Sequence, residues 1–258
     1  MNVIVCVKQI PDPALPGELD PSTNTLKRSG KLILDESDSY GVEMALQLVD
    51  KAGGGEVSLV SMAPNNEVSG LRTALAMGAA KAVLVSDPEL QGTDALTSAK
   101  VLAAAAQRLG QFDLIIAGTE SSDGYTGTVP EQMAEVLGLP SVTFAKSVTV
   151  DGETLKVDRQ TEAGYDEVTC TLPAVVSVTA GVVEPRYPSF KGIMAAKSKP
   201  LEEVTVSDLG VTPVGWSGAG QEIVDVADAP EREAGEIVTD EGEAHLKIVE
   251  FLEKLKIL

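Results

Sequence analysis

The run Gly118-Thr119-Glu120-Ser121-Ser122-Asp123-Gly124-Tyr125-Thr126-Gly127-Thr128-Val129-Pro130 sets three glycines and several hydroxyls between a β-branched stretch, Leu114 to Ala117, and a helical one from Glu131 to Leu137. Backbone N–H groups and hydroxyls at a helix entrance, with the positive end of the helix dipole behind them, suit an anion such as a phosphate. The same residues also describe an ordinary strand-to-helix loop with good helix caps, and neither a Walker A pattern nor Gly-x-Gly-x-x-Gly is present. Around this loop stand further candidates. Cys6, at the end of Val3 to Val7, either packs in a core or lets an adenine ring approach the backbone. Asp35, Ser37 and Asp38 either cap a helix or reach a ribose. Met62, closing a second apolar run, is a candidate wall of the same pocket.

These loops need elements to hold them. The strand candidates Val3 to Val7, Val57 to Met62, Ala82 to Val85 and Leu114 to Ala117 alternate with helical periods. The periods are Val42, Ala45, Leu46 and Val49; Val68, Leu71, Ala74 and Leu75; and Leu96, Ala99, Ala103 and Ala106. Such alternation predicts an α/β fold, a doubly wound, mainly parallel Rossmann-like sheet whose ligands enter at the carboxyl ends of the strands. The segment 10–33, with four prolines and a turn at Ser29-Gly30, interrupts the alternation as an inserted loop or hairpin. Beyond Pro140 the runs Thr143 to Val150, Thr154 to Gln160 and Glu167 to Leu172 have period-two texture and predict an antiparallel addition to the sheet. Ala174 to Val178 reads as one more buried strand, and 181–200 as a polar, basic stretch without clear period.

Composition narrows the chemistry. Of 258 residues, 20 are Lys or Arg and 39 are Asp or Glu, a formal charge of −19 that repels nucleic acid and anionic lipid. No apolar stretch approaches the roughly 18–20 residues of a membrane helix, so direct membrane insertion is not expected. Two separated cysteines, Cys6 and Cys170, fit a reduced, cytoplasmic chain. One histidine, His245, leaves no multi-histidine metal site and little basis for a hydrolytic triad. No catalytic residue and no metal ligand is assigned.

From residue 201 glycines, prolines and acids dilute the apolar content, which predicts an extended arm with Trp216 as an apolar anchor. Asp240 and Glu243 have capping-box spacing ahead of an apolar stripe, Ile248, Phe251, Leu252 and Leu255, so the chain is expected to end in a helix. That helix docks either on its own domain or on a partner. Two regions follow, an α/β domain over 1–200 and an arm plus helix over 201–258.

Several motifs stand in the order of one known family. They are Val5-Cys6-Val7-Lys8-Gln9-Ile10-Pro11-Asp12, Leu71-Arg72-Thr73-Ala74-Leu75-Ala76-Met77-Gly78-Ala79, Leu172-Pro173-Ala174-Val175-Val176, and Glu184-Pro185-Arg186-Tyr187 followed by Gly192-Ile193-Met194-Ala195-Ala196-Lys197. Over nearly its full length the chain resembles the β subunit of electron transfer flavoprotein. The resemblance implies a carrier without bond-making catalysis of its own, paired with an α subunit that holds the redox FAD. It implies that the heterodimer takes electrons from acyl-CoA and related dehydrogenases, as in fatty acid β-oxidation, and passes them to a quinone reductase. It further implies a structural AMP in this chain, at Cys6, Asp35 to Asp38, Met62 and the loop from Gly118 to Val129, with Ser122, Asp123, Gly124, Thr126, Gly127 and Thr128 among the contacts, and a C-terminal arm that docks on the α subunit.

The loop departs from the common family form, in which an acid-rich stretch precedes Asn-Gln-Thr-Gly, because neither Asn nor Gln stands between Asp123 and Pro130. Its Asp-Gly start and Val-Pro-Glu end are also similar to the bifurcating branch, which binds a second FAD in β. That branch's second Asp and its Gln are Tyr125 and Thr128 here. A stand-alone adenine-nucleotide-binding protein on the same core is the remaining alternative. The resemblance also implies a partner recognition loop at about 184–200, with Glu184, Arg186, Tyr187, Ile193, Met194 and Lys197 around an anchoring leucine position occupied by Phe190. Phe190 replaces that leucine by another apolar residue amid polar neighbours, so it is expected to be exposed and to act as a hot spot of about 2 kcal/mol or more.

Overall fold

A computed structural model describes residues 1–28, 30–63, 65–227, 229–230, 235–240 and 242–257. The chain opens with β1 (Asn2–Cys6), the hairpin β2 (Gln9–Pro11) and β3 (Leu32–Leu34), and helix α1 (Glu36–Lys51). Next come β4 (Glu56–Ala63), α2 (Ser69–Met77), β5 (Lys81–Ser86), α3 (Ala95–Arg108), β6 (Leu114–Gly118) and α4 (Val129–Leu137). The antiparallel strands β7 (Ser141–Asp151), β8 (Thr154–Thr161) and β9 (Gly164–Thr171) lead to β10 (Ala174–Val178), α5 (Phe190–Ala196) and β11 (Leu201–Val204). The short turns α6 (Val206–Leu209) and α7 (Gly215–Gly218) and the terminal α8 (Ala244–Lys254) complete the order. Ser29 of the expected turn lies outside the described residues.

One nine-stranded sheet runs β11-β5-β4-β1-β6-β10-β7-β8-β9, parallel from β11 to β7 and antiparallel beyond. Alternation along each strand divides the core between two faces. Val3 and Val5 of β1 belong to the apolar cluster beneath α1 and α2, whereas Ile4 and Cys6 join the cluster beneath α3 and α4. This is the doubly wound arrangement predicted above; of the three runs expected as an antiparallel addition, the first, β7, instead lies parallel to β10, and β8 and β9 are antiparallel. Strand order reverses at β1, which has β4 on one side and β6 on the other. The carboxyl ends of β1 and β6 therefore flank the switch point, where such sheets take ligands.

Three local readings change. The stretch 181–200 contains helix α5, whose Ser189 cap accepts a hydrogen bond from the Gly192 N–H at 3.0 Å. Two turns with an internal glycine are too short to register as a period. The segment after 201 is not an arm at its start, because β11 pairs with β5 at the sheet edge and Val204, Val206 and Val214 are buried. Three well-spaced valines escape a reading based on glycine and proline density. The first compact unit accordingly spans Met1–Ile223, and the second Val224–Leu258. Within the second unit, α8 forms as expected, but Asp240 accepts from Gly242 and Ala244 and no capping box closes on Glu243. No helix among the described residues is long and apolar enough to cross a membrane.

Candidate functional site

The ends of β1, β4 and β6 open on a cavity of about 210 Å³. Of the residues singled out above, Cys6, Asp38, Met62, Gly118, Gly124, Thr126, Gly127 and Val129 line it together. Gly118 has a steric reason to lack a side chain, since a Cβ there would lie 3.1 Å from Asp38 Oδ1 and 3.3 Å from Ser37 Oγ. The loop that follows leads into α4 with free donors. The N–H groups of Thr126, Gly127, Thr128, Val129 and Glu131 donate no hydrogen bond within the described residues. Their partial positive charge adds to the dipole of α4, which suits the phosphate of a nucleotide.

The other expected contacts have different work. Asp35 is fully buried, caps α1 through the Ser37 N–H at 3.1 Å and the Ser37 hydroxyl at 2.7 Å, and accepts from Ser122 N–H at 2.8 Å and Ser122 Oγ at 3.0 Å. Asp35, Ser37 and Ser122 thus form a clamp that fastens the loop to the first turn of α1, and their polar atoms face one another. Thr128 is the residue before α4 and does not line the cavity. Asp123 lines an adjoining cavity of about 920 Å³ and is held between Lys8 Nζ at 2.7 Å and the Arg28 guanidinium. Lys8, Met62, Thr93, Ser98 and Gly124 line both spaces.

Lys8 and Arg28 were not among the sequence candidates. Lys8 follows the first strand at the switch point, a position that could have marked it. Arg28 comes from the inserted loop, and its approach depends on how that loop folds over. Thr93, Asp94 and Ser98 were also missed, although Asp94 carries an ordinary cap signal and accepts from the Thr97 N–H at 2.8 Å.

Electrostatics divide the acids. Burial pushes the Asp38 carboxyl up to about 8, with nearby Asp35 adding to the rise and the Lys8 N–H, donating at 2.6 Å, opposing it. Burial, and secondarily Asp38, pushes the Cys6 thiol up to about 12, so Cys6 remains a neutral wall, 3.6 Å from Met133 Sδ. Burial would raise Asp123 as well, but Lys8 and Arg28 outweigh it and hold that carboxyl below its ordinary value.

On the α1–α2 face, the segment expected to meet a partner is exposed. Tyr187 and Phe190 are 93% and 81% accessible, and Glu184, Ile193, Met194 and Lys197 are exposed beside them. Arg186, itself exposed, reaches back to the buried Glu43 of α1, donating from Nε at 2.5 Å and Nη2 at 3.0 Å. The far end of α5 is tied to α2. Arg72 donates to the carbonyls of Ala196 at 2.7 Å and Lys199 at 3.0 Å, while Lys199 Nζ donates to those of Leu75 at 2.8 Å and Ala79 at 2.6 Å. Trp216 lies against the backbone of Gly92, where a Cβ would fall 2.2 Å from the indole. It anchors residues near the end of the first unit.

A doubly wound α/β domain with a switch-point cleft and a separate exposed aromatic segment is thus the class of protein that the chain defines. The family model described as electron transfer flavoprotein domain matches residues 23–209. The chain is 39% identical over 264 residues to the electron transfer flavoprotein subunit beta of Mycobacterium tuberculosis, covering 100% of this chain and 99% of the relative. It is 35% identical over 263 residues to the protein of that name from Thermoanaerobacterium thermosaccharolyticum, covering both chains fully. It is also 33% identical over 242 residues to the caffeyl-CoA reductase-Etf complex subunit CarD of Acetobacterium woodii, covering 93% and 92%. The chain belongs to the electron transfer flavoprotein β subunit family. Membership implies an electron-transport subunit with an α partner and a flavin in the complex.

Proposed function

We propose that this β subunit binds a structural AMP in the switch-point cleft, supports the FAD domain of its α subunit, and carries electrons from acyl-CoA or related dehydrogenases to a quinone reductase without bond-making catalysis of its own. The observation that carries the AMP assignment is the set of unengaged N–H groups of Thr126, Gly127 and Val129 at the entrance to α4, residues that line the cleft together with Cys6, Met62 and Gly118. In this reading the α4 entrance receives the phosphate, Cys6 and Met62 flank the adenine, and Asp38 faces the ribose. A bound nucleotide would fasten the loop and α1 to β1.

Docking rests on two exposed surfaces, each in its own unit. Tyr187 and Phe190 present apolar area to a dehydrogenase, and α8, which buries none of its residues, presents Ile248 and Phe251, with Leu255 just beyond its end, to the α subunit. A second reading, in which the β pocket takes a second FAD as in the bifurcating branch, is favoured by the 920 Å³ cavity beside the cleft. The discriminating experiment is to co-purify the chain with its α subunit, denature the complex, and count released nucleotides by mass spectrometry. One FAD and one AMP per heterodimer is expected. Two FAD and no AMP would replace the first reading by the second, and no nucleotide beyond the α-bound FAD would refute both.

A further inference from the structure

We infer that Glu43 is a positioning residue for the partner-binding segment: from within α1 its buried carboxylate grips Arg186 and fixes the direction in which Tyr187 and Phe190 project. The inference rests on the reading of that segment as a dehydrogenase contact.

Among the described residues, every hydrogen bond made by residues 183–188 runs between Arg186 and Glu43. Glu43 accepts from Arg186 Nε at 2.5 Å, from Nη2 at 3.0 Å and from the backbone N–H at 3.3 Å. Gln47 Nε2 steadies the carboxylate from one turn along α1 at 2.9 Å. The Glu43 side chain is only 5% exposed, so the pair is shielded on that side, and a fork-to-fork contact fixes angle as well as distance.

The segment's two ends are held by different means. Arg72 and Lys199 tie the end of α5 to α2, while Val182 and Val183 pack at the margin of the core ahead of Arg186. Between them, the one-residue span from Arg186 to Tyr187 converts the Glu43 contact into the aim of an almost fully exposed ring. Preorganisation of this kind lowers the ordering cost at docking. Neither Glu43 nor Arg186 lines the switch-point cleft, so their role is separable from nucleotide binding.

The test uses the α·β heterodimer as acceptor for an acyl-CoA dehydrogenase held reduced by its acyl-CoA. Glu43→Gln keeps the shape and removes the charge; its KM is expected to rise about five- to tenfold with kcat and nucleotide content unchanged. Arg186→Gln removes the other partner from the more exposed side and should match it, and the double variant should be no worse than either single one. Phe190→Ala serves as reference, with KM raised about 30-fold. If Phe190→Ala raises KM while Glu43→Gln and Arg186→Gln only lower the melting temperature, the positioning role is overturned and the dehydrogenase contact stands. If no variant changes KM, the contact falls and the inference with it.

Discussion

Gly192 offers a test in which two familiar effects have opposite signs. In a helix, replacing glycine by alanine stabilises by about 0.8–1.0 kcal/mol. Here a Cβ would lie 2.4 Å from the carbonyl oxygen of Ala76, a buried residue of α2. Comfortable carbon–oxygen contacts are about 3.3–3.6 Å, so α5 must retreat by about 1 Å. Overpacking of that size costs about 1–3 kcal/mol. The retreat would also draw the Ala196 and Lys199 carbonyls away from Arg72, a contact with a charged donor. Gly192→Ala is therefore expected to be destabilising by about 1 kcal/mol net, lowering the melting temperature of the heterodimer by roughly 2–4 °C. The loss is bounded because α5 can undock before the sheet unfolds, so amide exchange across 190–196 should rise more than exchange in β1 or β6. Calorimetry at fixed protein concentration and hydrogen exchange measure both quantities. A melting temperature raised by a few degrees, with α5 more protected, would refute the close approach of α5 to α2.

Other perturbations act on the cleft. The Asp38 carboxyl, raised to about 8 from an ordinary 3.8, binds its proton more tightly folded than unfolded. Its contribution to stability is complete below pH about 4 and is lost at up to about 1.4 kcal/mol per pH unit until pH about 8. Asp38→Asn should flatten that part of the stability profile, and unfolding midpoints measured from pH 5 to 9 that keep the wild-type slope would contradict the assignment. Asp123→Asn deprives Lys8 and Arg28 of their shared partner; with these cations 39% and 27% exposed, a loss of about 1–2 kcal/mol is expected. The same variant should increase proteolysis within the inserted loop, and an unchanged cleavage rate would show that Arg28 does not hold it. AMP at 100 times its Kd should stabilise the nucleotide-stripped heterodimer by about 2.7 kcal/mol, read as a rise in melting temperature, with the flavin potential nearly unchanged.

Local chemistry was legible in the residues. β-Branched runs bury themselves whichever strands they join, and Val3 to Val7, Ala82 to Val85 and Leu114 to Ala117 overlap β1, β5 and β6 closely. Helical spacing likewise marked α1, α2 and α3, and the glycine-rich loop marked the entrance to α4. The order of motifs carried the family before any contact was known. What stayed hidden was which polar groups face each other. Asp35 reads equally well as a cap or a ligand contact until Ser122, far along the chain, is seen donating to it. Arg186 stands in an exposed motif, yet its partner Glu43 lies on α1 and carries no mark in the pattern.

The sequence by itself determined the sheet-and-helix alternation, the antiparallel addition, the strongly acidic balance and the candidate loop, because each follows from residue type and near-neighbour spacing. Only the tertiary structure decided that Leu201–Val204 completes the sheet edge, that Lys8 and Arg28 share Asp123, and that Arg186 pairs with Glu43. A hydrogen bond or ion pair depends on distance in space, and the groups that meet here are separated by up to 143 residues of chain, so no local pattern records them.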